Sequence, residues 1–371
     1  MTSPAKPNIA LDDSAAPSRV TSPNASQGAP LGDDTARASS HMIDDDEGQL
    51  SLHCGAAADV ELDEASYAAG DREDTAGGLG EFLHATYRNA RGEREYRLYR
   101  PVGYAEAGRA MPLIVMLHGC AHTPENFALG TRMNVLADRL GFLVAYPRQT
   151  VGENRAKCWN WYRPDHQTAN EGEPSILAGI TREIMSTHRV DPDRIFVAGL
   201  SAGASMAAIL GHTCPTLFRA IGVHSGTPYL SAHSAPSALA TLTGRGFHKS
   251  GPEQPVPALP VPMIVFQGDH DHVVNPVNAD ALVRQSAGGK LDGVSEQGRV
   301  LDGHSYNREI FTDAAGRARI ERWTVHGSGH AWSGGHPDGA YTDPKGPDAS
   351  AEMVRFFLEA SEAGPSRPTV H

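Results

Sequence analysis

The stretch Arg194-Ile195-Phe196-Val197-Ala198-Gly199-Leu200-Ser201-Ala202-Gly203 decides how the rest of the chain is read. Its first half is a β-branched and aromatic run, as in a buried strand. Its second half is Gly-x-Ser-x-Gly, and small residues at helical spacing follow. Strand, tight turn and helix in that order make a nucleophile elbow: glycines leave room for a sharp bend, and the serine oxygen is pushed out at the end of a sheet beside a helix N-terminus. The five-residue pattern alone is weak in a chain with 39 glycines, where it also marks an ordinary turn serine. Its weight depends on what lies downstream.

Two further strand-like runs follow. Pro262-Met263-Ile264-Val265-Phe266-Gln267-Gly268 leads into Asp269-His270-Asp271-His272-Val273-Val274, and Arg322-Trp323-Thr324-Val325-His326-Gly327 leads into Ser328-Gly329-His330-Ala331-Trp332. Serine, then acid, then histidine is the chain order of an α/β-hydrolase. The chemistry requires these residue types. A serine hydroxyl is a weak nucleophile at neutral pH unless a neutral imidazole takes its proton, and a carboxylate must fix the tautomer of that imidazole. The developing oxyanion requires main-chain N–H donors. One is expected at Ala202, after the nucleophile. The other is expected at Cys120, because Pro112-Leu113-Ile114-Val115-Met116-Leu117 reads as an earlier strand and His118-Gly119-Cys120 as its loop. Asp269 and Asp271 compete for the acid role, with spacing from the strand in favour of Asp271 and a turn-capping role open to Asp269. His326 ends an apolar run like a strand residue, so His330 is the preferred base. Most of the 18 histidines are read as solvated surface residues, including His270, His272 and His336.

These residues resemble the polyhydroxybutyrate (PHB) depolymerase family of esterases, relatives of feruloyl and acetylxylan esterases. The likeness rests on Leu117-His118-Gly119-Cys120, Cys158-Trp159-Asn160-Trp161-Tyr162, Gly199 to Gly203, Gly268 to Val274 and Gly329-His330-Ala331-Trp332-Ser333-Gly334-Gly335, and runs over about residues 80 to 362. It implies an acyl-enzyme on Ser201, with His330 as base, Asp271 as acid and Cys120 as an oxyanion donor. It implies esters of 3-hydroxyalkanoates as substrates, polymeric or oligomeric, together with short acyl esters. Feruloyl or acetylxylan ester hydrolysis is the alternative, and a non-catalytic hydrolase-fold binding protein is the alternative of another class. One departure bears on substrate fit: a Gln often follows the His-Gly-Cys loop in such enzymes, where this chain has Ala121-His122-Thr123. Cys120 and Cys158 lie in family-like motifs flanking the expected cleft. A disulfide between them would hold the Cys120 N–H in place; two buried thiols are the reading for a reducing compartment. Cys54 and Cys214 have no evident partner.

Composition bounds the remainder. Residues 1–80 contain one aromatic residue, Tyr67, and 15 acidic against 4 basic side chains, a net of −11 out of the chain's −12. Such a segment buries too little apolar surface to offset its ordering entropy and is read as a disordered acidic tail, with Asp44-Asp45-Asp46-Glu47 a solvated charge run. Residues 81–362 form the expected catalytic domain and 363–371 a disordered end. The near-neutral catalytic part has no basic stripe with aromatics, which excludes a nucleic-acid partner. No apolar run is long enough for a membrane span. No Cys/His cluster suggests a metal, and no cofactor is expected. Export is implied by the resemblance, yet Lys6 is the single early base and no apolar segment follows it, so a secretory leader is not read and a cytoplasmic location stands beside an extracellular one.

Strands alternating with helices predict a mainly parallel sheet covered on both faces. Hairpins are expected at 82–99 around Asn89-Ala90-Arg91-Gly92 and at 306–325 around Asp313-Ala314-Ala315-Gly316. Helices are expected at 132–140, 175–188, after Ser201 to about Gly211, and at 348–360. Gln149 to Glu173 and Ser225 to Pro260 are read as insertions that shape a substrate site. Trp159, Trp161 and Trp332 sit near the expected active-site loops and are candidates for substrate contact, with Trp159 as a loop anchor the competing reading. No Thr-rich linker or further C-terminal module is read after residue 362, so soluble oligomers and amorphous polymer are expected to be better substrates than crystalline film.

Overall fold

The computed structural model describes residues 41–44, 50–53, 80–248, 261–287 and 292–362. The expected acidic tail therefore lies outside the described residues, apart from two short strands, β1 (His41–Asp44) and β2 (Leu50–His53), which pair antiparallel. The expected C-terminal end, 363–371, also lies outside them.

One ten-stranded sheet organises the rest. Its strands are β3 (Glu81–Asn89), β4 (Gly92–Arg100), β5 (Met111–Leu117), β6 (Leu143–Pro147), β7 (Val190–Leu200), β8 (Ala220–His224), β9 (Met263–Gly268), β10 (Asp292–Arg299), β11 (Ser305–Thr312) and β12 (Ala318–Val325). They lie in the order β10-β11-β12-β9-β8-β7-β5-β6-β4-β3. The six strands from β12 to β6 are parallel, and an antiparallel hairpin is added at each end. The central strands β5, β6, β8 and β9 are buried along their whole length, as their unbroken apolar runs require when both faces are covered.

Alternation along β5 separates two cores. Leu113, Val115 and Leu117 point to one face, where α3 (Gly172–Thr187) and α4 (Ala202–Thr213) bring Leu177, Ile180 and Met206. Ile114 and Met116 point to the other, where α1 (Pro124–Thr131), α2 (Met133–Leu140) and α7 (Ala349–Glu362) bring Phe127, Met133 and Phe357. The Phe357 ring stacks on Phe196 of β7 at 4.9 Å. The remaining helices are α5 (Ala235–Leu242), started by a Ser234/Ser237 capping box, and α6 (Val277–Ala287). Strands β13 (Trp332–Ser333) and β14 (Thr342–Asp343) form a small parallel pair in the loop after β12. Among the described residues no helix is long and apolar enough to cross a membrane, and no group of three or more His, Cys, Asp or Glu is placed to hold a metal ion.

Both expected hairpins form. Strand β10 was not expected, and its sequence explains why. Asp292-Gly293-Val294-Ser295-Glu296-Gln297-Gly298-Arg299 is polar with two glycines, a poor strand signal. The pairing comes from β11, whose Phe311 and Tyr306 lie opposite Gly293 and Gly298 and cover them. Helix α1 was also not anticipated; Thr123 caps it by accepting the Asn126 N–H.

Candidate active site

The parallel strands end along one edge of the sheet, so the residues after β5, β7, β8, β9 and β12 share that edge. Ligands of open parallel sheets bind there. Ser201 follows β7 at φ 56° and ψ −121°, a conformation disfavoured for a residue with a side chain, and α4 begins at Ala202. The flanking glycines serve close approach: a Cβ on Gly199 would overlap the Gly203 backbone, and one on Gly203 would overlap the Leu117 carbonyl. The elbow is thereby pressed against the end of β5, and the Ser201 N–H donates to the His224 carbonyl of β8 at 2.9 Å.

The structure separates the two acids and the two histidines into pairs. Asp271, 2% exposed, accepts the His330 Nδ1–H at 2.8 Å. The same carboxylate accepts N–H groups from Val273 (2.9 Å), Val274 (2.8 Å) and the Gln267 side chain (3.0 Å). Burial pushes the Asp271 carboxyl up, but the imidazole and these donors outweigh it and hold the group below the usual carboxylate range. Asp269 instead faces outward, accepting from His326 Nδ1 at 2.8 Å and from the Gly327 N–H at 2.7 Å. It pins the start of the loop that carries His330. That loop crosses directly over Gly268, where a Cβ would strike the Ser328 carbonyl. Further along, Ser328 Oγ donates to Asp343 at 2.6 Å, and Asp343 also meets His304 Nε2 at 3.0 Å.

The loop His118-Gly119-Cys120 runs alongside the elbow: a Cβ on Gly119 would lie 3.6 Å from the Ser201 Cβ. Cys120 is disulfide-bonded to Cys158, one of the two readings left open for this pair. Among the described residues the Cys120 N–H has no protein acceptor, and Ala202 is the first residue of its helix, where an amide has no partner within the helix. The loop is held from below by a buried chain of contacts. His118 Nδ1–H donates to the Gly119 carbonyl at 2.7 Å, and its Nε2 accepts the Gln149 N–H at 3.0 Å. The Gln149 side chain donates to Glu173. Glu173 also accepts the Asn160 N–H at 2.8 Å and lies beside His166 (3.2 Å) and Arg94 (3.8 Å).

One expectation is corrected. Trp159 and Trp332, read with Trp161 as candidates for substrate contact, are 0% and 1% exposed, whereas Trp161 at 6% is about as accessible as Ser201 at 7%. The Trp159 N–H donates to the His118 carbonyl and the Trp332 N–H to Ser350 Oγ, both at 3.0 Å, so these rings anchor the loops from beneath. An indole satisfied in this way fills the space under a loop and offers no face to a ligand. Four histidines depart from the surface default, His118, His122, His166 and His224 being buried, whereas His270 and His272 are exposed. No sequence periodicity separated them from solvated ones; only the strand-end positions of His118 and His224 hinted at burial.

A twisted, mainly parallel sheet carrying a serine elbow, with an Asp–His pair on the loops of later strands, is the α/β-hydrolase fold. The chain matches the family described as Esterase PHB depolymerase over residues 94–298 and belongs to that family. Ser201 and Asp271 fall within the matched span and His330 beyond it. Poly(3-hydroxyalkanoate) depolymerase C of Paucimonas lemoignei is 30% identical over 233 residues, 59% of this chain and 54% of that protein. Feruloyl esterase B of Neurospora crassa is 31% identical over 127 residues, 34% of this chain and 42% of that protein. The chain thus spans about half the length of the curated relatives it matches. Among solved structures, an acetyl xylan esterase from Aspergillus awamori shares the fold with a TM-score of 0.57 at 19% identity, covering 76% of this chain and 100% of that one.

Proposed function

We propose that this protein is a serine esterase that cleaves carboxylic esters through an acyl-enzyme on Ser201. The observation that carries the reading is the 2.8 Å Asp271–His330 hydrogen bond, formed at a buried, ionised carboxylate on the sheet edge that also bears the strained Ser201. Because Nδ1 is committed to Asp271, Nε2 is the basic nitrogen. Ser201 Oγ attacks the ester carbonyl carbon while its proton passes to His330 Nε2. The carbonyl oxygen becomes an oxyanion held by the Cys120 and Ala202 N–H groups. Collapse breaks the bond to the leaving oxygen, which takes the proton from His330 and departs as an alcohol. Water, deprotonated by the same imidazole, then releases the acid and restores Ser201.

The substrates are 3-hydroxyalkanoate oligomers or polymer and short acyl esters. Family membership and the likeness to a poly(3-hydroxyalkanoate) depolymerase support this choice. Feruloyl or acetylxylan esters are the second reading, favoured by the feruloyl esterase relative. A panel of p-nitrophenyl butyrate, hydroxybutyrate oligomers, methyl ferulate and acetylated xylan separates them, and a large preference for methyl ferulate reverses the choice. Fluorophosphonate labelling that is absent in Ser201→Ala, together with its turnover, is the expected result. Full turnover by Ser201→Ala would remove the reading altogether.

A further inference from the structure

We infer that His224 is a positioning residue, whose imidazole ties the base loop to the end of the strand whose main chain holds the nucleophile elbow. The inference rests on the triad reading above.

His224 is the last residue of β8 and is 1% exposed. Its main-chain carbonyl accepts the Ser201 N–H at 2.9 Å, so it fixes the nucleophile's own backbone. Its ring Nε2 accepts the N–H of Ser333 at 3.0 Å, three residues past His330. The ring plane lies between Trp332 of the base loop (5.0 Å, 25°) and Phe266 of β9 (5.8 Å, 16°), the strand that leads to Asp271. His224 therefore touches the elements that carry all three proposed catalytic groups, its main chain holding the elbow and its ring the base loop and β9.

The chemistry asks for this residue type. To accept from Ser333, Nε2 must carry a lone pair, which places the ring proton on Nδ1, 3.3 Å from Ser225 Oγ. Burial, helped by nearby His330 and opposed by Asp271 and Asp343, lowers the His224 pKa to about 3. The ring therefore stays neutral and accepting while His330 gains and loses its proton. Phenylalanine would fill the same slot between Trp332 and Phe266 and leave the buried Ser333 N–H without an acceptor. Glutamine can present an acceptor at similar reach, whereas asparagine is too short.

The test compares His224→Phe, His224→Gln and Ser201→Ala, with kcat and KM measured on p-nitrophenyl butyrate and folding followed by thermal melting. A small displacement of a catalytic group costs up to about a hundredfold in rate. His224→Phe is expected to lower kcat by about ten- to a hundredfold with KM within about twofold, and His224→Gln to recover most of that loss. Should the phenylalanine variant not fold, the same contrast is read between His224→Gln and His224→Asn. Turnover within threefold of the parent in His224→Phe overturns the inference, as does a folded His224→Gln no better than the variants lacking an acceptor. Those results with a dead Ser201→Ala leave the triad standing; turnover by Ser201→Ala sinks both.

Discussion

Lowering the pH from 8 to 5 should cost this protein much more stability than its carboxylates explain, because three imidazoles are buried where they resist protonation. Burial lowers the pKa of His118 to about 4 and those of His122 and His224 to about 3. In the unfolded chain each titrates near 6.5, roughly the value of a free imidazole. Above that pH neither state binds the proton. Between about 6.5 and 4 the unfolded chain takes up three protons that the native state refuses, so stability falls as pH falls. Each group contributes about 1.4 kcal/mol per pH unit. At pH 5 that is about 2 kcal/mol apiece and about 6 kcal/mol together, against a typical total of roughly 5–15 kcal/mol. Asp271 and Glu173, held ionised by their partners, act in the same direction but only below about pH 5, where unfolded carboxylates begin to protonate. Urea unfolding from pH 5 to 8, with the disulfide intact and followed by tryptophan fluorescence, measures the slope. It should approach three protons between pH 5 and 6. His122 offers a cleaner test, because neither of its ring nitrogens has a hydrogen-bond partner among the described residues. His122→Leu should take one proton from the slope and raise stability at pH 5 relative to pH 8 by about 2 kcal/mol. A slope of one proton or less, or no change in His122→Leu, would refute the reasoning.

Asp271→Asn should lower kcat by about a thousand- to ten-thousandfold, because an amide no longer fixes the imidazole tautomer, while Asp269→Asn should cost less than about tenfold; steady-state kinetics on p-nitrophenyl butyrate rank the two. Replacing Cys120 and Cys158 together by Ala removes a cross-link spanning 38 residues, and a loop of that length implies a loss of up to about 4 kcal/mol, read as a lower urea midpoint. The same variant should lose more in kcat than in KM, since the cross-link holds the Cys120 amide. Glu173→Gln leaves the buried Arg94 guanidinium with only the half-exposed Glu153 carboxylate and should destabilise the protein by up to about 3–5 kcal/mol, measured by the same unfolding curves.

The serine elbow was legible in sequence because its signal is local: a strand, a strained turn and a helix follow one another within about twenty residues. The Asp and His that the structure pairs could be narrowed to a few candidates through chain order and through their distance past a strand end. That argument left Asp269 beside Asp271 and His326 beside His330. Packing separates them, because Gly268 lets the loop after β12 cross close above β9, pairing Asp269 with His326 at the surface and Asp271 with His330 beneath it. What sequence could not reveal was which polar groups are buried. Glu173, Arg94, His118 and His224 look like solvated residues in a linear reading, and their roles depend on partners up to 109 residues away. Trp159 and Trp332 were misplaced for the converse reason. An aromatic near an active-site loop can face a ligand or the core, and the indole N–H found acceptors in the core.

The loop between β12 and α7 shows why so many polar contacts converge on one histidine. Holding a residue in a single conformation costs roughly 1–2 kcal/mol, so a long connection is mobile unless it is tied down at intervals. Here Asp269 holds His326 and Gly327, Asp343 holds Ser328, Asp271 holds His330, His224 holds Ser333 and Ser350 holds Trp332. The spacing between successive ties is never more than two residues from His326 to Ser333. No segment of that stretch is long enough to swing the imidazole away from Asp271 without breaking a neighbouring bond. The loop after β5 obeys the same logic with different chemistry: a disulfide at Cys120, a carbonyl contact at His118 and a main-chain bond from Ala121 to Ala156 at 2.8 Å. The proposed catalytic geometry, though built on loops, thereby acquires the precision of the sheet beneath it.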